Sequence, residues 1–255
     1  MKGIFDSHAH YDDARFDEDR GELLSRIHGE GVEYIITIGA DLESSAAAVE
    51  LSQRFPFVYS AVGVHPEQAG EAPAGYLATV RRLAAQQKVR AIGEIGLDYY
   101  WKENPPREVQ LRFFEEQILL AEELSLPVII HDREAHADTL AMLQKHRPRG
   151  VVHCYSGSAE MAKELLRLGM YIGFTGAVTF KNARRALEAA AVVPEDRLLI
   201  ETDCPYMAPE PMRGHRCDSS LLPFVAAKLA EVRGTTPEEI IRITCQNAKT
   251  LFRIE

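Results

Sequence analysis

Short apolar runs alternate with helical stripes about eight times along this chain, the rhythm of repeated β-α units built on a parallel sheet. The runs predicted as strands centre on Ile4-Phe5, Tyr34 to Ile38, Tyr59 to Val64, Ala91 to Ile95, Pro127 to Ile130, Val151-Val152, Tyr171 to Phe174 and Leu198 to Ile200. Between them lie amphipathic stretches such as Leu111, Phe114, Ile118 and Ala121, whose spacing draws an apolar stripe along one helix face before Pro127 opens the next strand. Thr236-Pro237-Glu238-Glu239 reads as a capping box with proline at the first helical position, opening a last helix through Ile240, Ile241, Thr244, Ala248 and Leu251. Eight strands suit a closed α/β fold, a (β/α)8 TIM barrel with helices outside and the active site at the C-terminal ends of the strands. The alternative, an open doubly wound sheet, would bind its ligand at the crevice where strand order reverses.

The bulk numbers fit one large core: 255 residues with 46% hydrophobic content predict a single domain over 1–255. No run of about 18 apolar residues could span a bilayer, and Met1-Lys2-Gly3-Ile4-Phe5-Asp6 lacks the long apolar stretch of a signal peptide, so a soluble cytoplasmic protein is expected. Cys154, Cys204, Cys217 and Cys245 form no C-x-x-C pair, and reduced thiols are the default. Strand alternation is expected to turn Cys154 and Cys204 away from the candidate ligands they follow. A net charge of -9 argues against coating duplex DNA through phosphate neutralisation. It leaves room for an enzyme with a cationic mouth, where bound metal ions can supply the charge.

Six residues able to bind a divalent cation recur close to where the strand-like runs stop: His8, His10, Glu94, His131, His153 and Asp203. His8 and His10 are two apart, so on a strand both imidazoles point the same way and can share an ion. On a helix they would diverge by about 200°. Glu94 interrupts the apolar run Ala91-Ile92-Gly93-Glu94-Ile95; a carboxylate buried there needs a cation, and its two oxygens suit a bridge between two ions. His131 and His153 end successive runs, and equivalent positions on neighbouring strands about 4.8 Å apart can share an ion. Asp203 ends the eighth run, which a closed barrel lays beside the first, next to His8 and His10. Glu201 faces inward but deeper. Singly, each has an ordinary explanation in a packed or capped side chain; together at one mouth they make a metal site.

Other polar groups fall at the same strand ends and are expected to hold a substrate at the mouth: His65, Asp98, Tyr99, Arg133, Tyr155 and Ser156. Arg133 is the best candidate for holding a phosphate, because a guanidinium offers a planar fork of donors. Arg213, His215 and Arg216 after the eighth strand, with Lys181, Arg184 and Arg185 after the seventh, are expected to form a basic rim.

The segments Phe5-Asp6-Ser7-His8-Ala9-His10, Gly63-Val64-His65-Pro66, Gly93-Glu94-Ile95-Gly96-Leu97-Asp98-Tyr99, His131-Asp132-Arg133, His153-Cys154-Tyr155-Ser156-Gly157 and Glu201-Thr202-Asp203-Cys204-Pro205-Tyr206, in this order, resemble the TatD family of metal-dependent deoxyribonucleases, within the amidohydrolase-like barrel enzymes. Arg213-Gly214-His215-Arg216-Cys217 is similar to that family's Arg-Gly-x-Arg-Asn pattern, with cysteine in place of asparagine. The resemblance implies two divalent ions, of Mg, Mn or Zn, one held by His8, His10 and Asp203, the other by His131 and His153, with Glu94 bridging. It further implies Asp203 as general base, His65 and Arg133 on the phosphate, and 3'-to-5' hydrolysis of DNA, single-stranded or at strand ends, by a monomer. Competing readings are an amidohydrolase or small-ester hydrolase, an enzyme deacylating misacylated transfer RNA, and a non-catalytic metal or nucleic-acid binding protein. Many two-metal relatives bridge with a carboxylated lysine, whereas the fourth strand here carries Glu94.

Overall fold

Each apolar run becomes a strand, and each amphipathic stripe a helix packed outside it, in a computed structural model that describes residues 1–255. The first four strands are β1 (Ile4–Ala9), β2 (Val32–Ile38), β3 (Val58–Val62) and β4 (Val89–Asp98). The second four are β5 (Val128–Arg133), β6 (Gly150–Val152), β7 (Tyr171–Phe174) and β8 (Leu198–Ile200). Between and after them run α1 (Arg20–Glu30), α2 (Leu42–Arg54), α3 (Tyr76–Ala84), α4 (Arg107–Glu123), α5 (His136–His146), α6 (Ala159–Arg167), α7 (Arg184–Val192), α8 (Leu222–Arg233) and α9 (Pro237–Phe252). The sheet order is β1 through β8 with every ladder parallel, so this is a (β/α)8 TIM barrel and not a doubly wound sheet, whose order would reverse.

Closure between β8 and β1 is made above the end of β8. Ala9 and Cys204 form a parallel bridge, in which the His10 amide donates to the Cys204 carbonyl at 2.8 Å and the Asp203 amide to the His8 carbonyl at 2.9 Å. Below it, the buried Asp6 carboxylate stitches the seam, accepting from Thr202 N–H at 3.0 Å, Thr202 Oγ1 at 2.6 Å and Ser219 Oγ at 2.7 Å. Burial pushes Asp6 up to about 6 against these donors. The seam is what sets Asp203 beside β1.

Inward-facing Phe5, Ile36, Ile38, Ala61, Ala91, Ile129, Val151 and Leu199 fill the barrel, and Leu251, Phe252 and Ile254 from the end of α9 pack into the same cluster. Phe252 stacks on Phe5 with centroids 6.1 Å apart, plugging the end opposite the histidines. The outer core takes the predicted α4 stripe: Phe114, Ile118 and Ala121 are buried and Leu111 partly so.

Several strands run further than their apolar runs. β4 continues to Asp98 and pairs with β5 as far as Asp98 with Arg133, and Gly96 allows it: a Cβ there would sit 2.0 Å from the His131 carbonyl oxygen. β3 instead stops at Val62, short of the predicted Val64, where Ser45 Oγ takes the Gly63 amide at 3.1 Å. On α9, Thr236 accepts the Glu239 amide at 3.2 Å as expected, but the Glu239 side chain pairs with Arg242 and does not close the box.

Candidate metal centre

The six candidate ligands converge at one mouth. Each is aimed by its own strand end. His8 and His10 leave β1 on the same side, their Nε2 atoms 3.1 Å apart. Glu94 stands where the β4–β5 register breaks between Ile92 and Ile95, and its amide donates to the Gly39 carbonyl at 3.0 Å. His131 lies in β5, and His153 follows β6 with its amide on the Ile130 carbonyl at 3.0 Å. Asp203 follows β8 in the left-handed region, at φ 60°.

Two groups of donor atoms result, joined by Glu94. Its Oε2 lies 3.4 Å from His8 Nε2 and 3.6 Å from His10 Nε2, while Asp203 Oδ1 lies 3.5 and 3.4 Å from the same two nitrogens. Its Oε1 lies 2.7 Å from His153 Nε2 and 2.9 Å from His131 Nδ1, themselves 3.3 Å apart. Ligands about 2.1 Å from a tetrahedral ion stand about 3.4 Å from one another. The first group has that spacing, so the residues fit a cation, with the two carboxylate oxygens of Glu94 divided between the two groups.

For two of the four histidines, hydrogen bonds on the outer nitrogens fix which lone pairs point inward. His10 Nδ1 bonds the Ile38 carbonyl at 3.0 Å and His131 Nε2 bonds Asp98 Oδ2 at 3.0 Å, so the hydrogens lie there and the inner nitrogens are free to ligate. His65 is arranged the other way. Its Nδ1 accepts the Glu67 amide at 3.3 Å, which leaves the hydrogen on Nε2, 3.5 Å from Glu94 Oε1. His65 also falls with Glu94 and His131 in a group of atoms close enough to hold an ion, but with this hydrogen placement it acts as a donor toward Glu94.

The carboxylates also set the charge of the rings. Burial opposes charge on His10 and His131, but Asp203 and Glu94 raise the first to about 9, and Asp98 and Glu94 raise the second to about 10. His153 is raised too, against burial, by Glu94. Burial and the charge of His153 lower His8 to about 4; burial and His131 lower His65 to about 3. Burial works against ionised Glu94, yet the surrounding histidines hold it well below the usual carboxylate range, and Asp203, bonded to His10, is lowered likewise. The carboxylates thus favour positive charge on His10, His131 and His153, while His8 and His65 stay neutral.

These groups open into a cavity of about 590 Å³. Asp12, Asp13, Glu67, Glu94, Asp132 and Asp203 line it, and Arg133 is its one lysine or arginine. The expected basic rim is engaged elsewhere: Arg216 pairs with Asp19 at 2.5 Å and lies over Phe16, Arg213 lies over Phe180, and Arg184 pairs with Glu188. None of them, nor Lys181, Arg185 or His215, lines the cavity.

Three other expected contacts are displaced. Asp98 is fully buried and holds His131 instead of substrate. Tyr99 donates its hydroxyl to Asp138 at 2.8 Å. Tyr155 is buried with its hydroxyl on the Ser158 carbonyl at 2.7 Å. The cause of the last is Cys154, whose φ of 43° breaks the alternation after β6, so that Cys154, expected to turn away, lines the cavity with Ser156. Cys204 is turned in and buried at the seam, as alternation implied. Glu201 sits beneath, accepting from Cys154 N–H at 2.5 Å and Ser7 Oγ at 3.0 Å, with burial raising it to about 7.

Two supporting residues escaped sequence reasoning. Gln117 on α4 pairs with both backbone groups of Val64, at 2.8 and 3.0 Å, and Gln110 does the same for Asp98, at 2.8 and 2.9 Å. They clasp the chain next to His65 and at the end of β4. Two glutamines seven apart along a helix with an apolar stripe were the available signal.

Known proteins resemble this chain over nearly its whole length. A family model described as TatD related DNase matches residues 5–253. The chain is 43% identical over 254 residues to "Uncharacterized metal-dependent hydrolase YabD" of Bacillus subtilis (strain 168), spanning 98% of this chain and 99% of that protein. It is 38% identical over 259 residues to "3'-5' ssDNA/RNA exonuclease TatD" of Cronobacter sakazakii, spanning 98% and 97%. The crystal structure of YJJV, a TatD homolog from Escherichia coli K12, superposes with a TM-score of 0.93 at 32% identity over 99% of each chain.

Proposed function

The chain belongs to the TatD-related DNase family, and from that premise we propose that it is a metal-dependent hydrolase of phosphodiester bonds in DNA, acting as a 3'-to-5' exonuclease on single-stranded ends. The observation that carries this is Glu94, whose two oxygens are shared between two sets of cation donors at the mouth of one cavity.

In this reading His8, His10 and Asp203 would hold one divalent ion and His131 and His153 another, with Glu94 available to both. Bound there, divalent ions would polarise the phosphate and ease ionisation of water at neutral pH. Arg133 binds a non-bridging phosphate oxygen through its guanidinium, as the cavity's one fixed cation. His65, neutral and carrying its hydrogen on Nε2, donates to a second phosphate oxygen. Asp203 side-chain atoms are 19% exposed, and the oxygen other than Oδ1 takes the proton from the attacking water. Asp98 and the Ile38 carbonyl keep the His131 and His10 rings from turning.

Histidine donors suit zinc or manganese, while carboxylates and a phosphate substrate suit magnesium or manganese. Residues 1–255 act as one catalytic domain, since β1 and the end of α9 pack into the same barrel interior. No helix is long and apolar enough to cross a membrane. Six carboxylates and no lysine in the cavity favour a cation-dependent phosphodiesterase over a barrel enzyme bridged by a modified lysine. The test is turnover of single-stranded DNA, a cyclic amide and an aminoacyl-RNA under one metal panel. DNA cleavage abolished by chelator and restored by divalent metal is expected; metal-independent cleavage, or amide turnover alone, contradicts the reading.

A further inference from the structure

Six large apolar side chains stand exposed on this chain, and three of them, Tyr100, Trp101 and Tyr206, border the metal cavity. Trp101 is the chain's one tryptophan. Tyr100 and Trp101 are 51% and 44% exposed and meet edge to face, with centroids 4.8 Å apart. The guanidinium of Arg133, a cavity residue, lies 4.0 Å over Tyr100 and 5.3 Å over Trp101. Their loop is pinned: the Tyr100 amide donates to Asp98 Oδ1 at 2.9 Å, and Asn104 Nδ2 to the Asp98 carbonyl at 3.1 Å. The same Asp98 carboxylate that holds His131 therefore holds the aromatic pair beside it.

Tyr206 follows β8 and lies across the mouth, because in a ring of eight strands the β4–β5 side is opposite the β8–β1 side. It is 49% exposed, lines the cavity, and has the Arg15 guanidinium 4.0 Å from its ring. Exposed aromatic rings thus stand on the β4 side and the β8 side of the mouth, each with an arginine against it, and the Tyr206 hydroxyl is held by Asp13 at 3.3 Å. The floor between them carries six carboxylates against one arginine, so general basicity cannot hold a polyanionic backbone there. Stacking can, without regard to sequence, because every base has a π-face.

We propose that Tyr100 and Trp101 on one bank, and Tyr206 on the other, stack unpaired nucleobases on either side of the phosphate being cut. This rests on the nuclease reading and gives it a source of strand preference. In a duplex both faces of an internal base are covered by its neighbours, so only an unpaired strand can lay its bases on these rings.

Trp101 supplies its own probe. Manganese-loaded protein is titrated with a phosphorothioate-linked oligothymidylate, with the same backbone lacking bases, and with a duplex. Tryptophan emission is expected to fall with the first alone. In steady-state cleavage of the natural strand, Trp101→Ala raises KM about 10- to 100-fold with kcat nearly unchanged. Trp101→Phe restores most of the loss, and Phe224→Ala, an exposed ring on α8, keeps the parent KM. Turnover with unaltered emission, or a parent KM in Trp101→Ala, overturns the platform while leaving the nuclease reading intact. Base-dependent quenching with no hydrolysis of any strand under any metal overturns the nuclease reading and leaves the platform standing.

Discussion

Replacing Asp98 by asparagine tests how the second ion is held, because the substitution alters one oxygen of a residue that does not line the cavity. Asp98 is fully buried and accepts two hydrogens, from His131 Nε2 at 3.0 Å and from the Tyr100 amide at 2.9 Å. Asparagine keeps the shape but has one oxygen, so one donor is left without a partner. A buried donor orphaned in this way costs about 1–3 kcal/mol. Whichever donor loses, His131 is held less firmly with its Nδ1 lone pair toward Glu94, and loss of such an orienting carboxylate weakens metal binding about 10- to 100-fold. That is about 1.4–2.7 kcal/mol of binding free energy. The effect falls on the ion of His131 and His153, since the His10 ring is held by the Ile38 carbonyl and not by Asp98. Calorimetric titration with manganese should give two binding steps in the parent, with one step weakened in Asp98→Asn. Two steps at parental affinity, or two steps weakened alike, would refute the reasoning.

Glu94→Gln replaces an oxygen by an amide group that cannot ligate, so one ion per chain is expected where two are proposed for the parent, with kcat lower by about 10²–10³-fold or more; unchanged stoichiometry by metal analysis contradicts the bridge. Gln117→Leu orphans the amide and carbonyl of Val64 and should destabilise the protein by about 2–4 kcal/mol in chemical denaturation; a loss below about 0.5 kcal/mol would mean that the clasp is dispensable. In the metal-free protein His10 and His131 are raised to about 9 and about 10, above the roughly 6.5 of an unfolded chain, so the stability they add is complete below about pH 6.5 and is lost as pH rises through 9 and 10. Metal binding at pH 7 must displace those protons, so affinity should rise with pH between 7 and 9 and titrations in buffers of different ionisation heat should show proton release; pH-independent affinity would contradict this.

The convergence of the six candidate ligands was legible because each carries a local signal at a strand end. Glu94 is a charge inside an apolar run, His8 and His10 keep the two-residue period of a strand, and Asp203 ends a run that closure must bring to the first. What surrounds them was not, because it depends on partners far along the chain. Nothing near Asp98 announces that His131 will claim it, and nothing near Arg216 announces Asp19. Tyr155 and Cys154 exchange faces through one left-handed residue, a backbone choice that period-two reasoning cannot register. Asp6 reads as one more polar residue of the first run until the seam forms and Thr202 and Ser219 reach it. Gln110 and Gln117 read as helix surface until α4 packs and they meet strand ends.

Anomalous diffraction from crystals grown with manganese counts and places the ions at once. Two peaks are expected, one among His8, His10 and Asp203 and one between His131 and His153, with an oxygen of Glu94 beside each. A single peak, or ions that leave Glu94 untouched, would contradict the bridged pair on which the proposed chemistry depends.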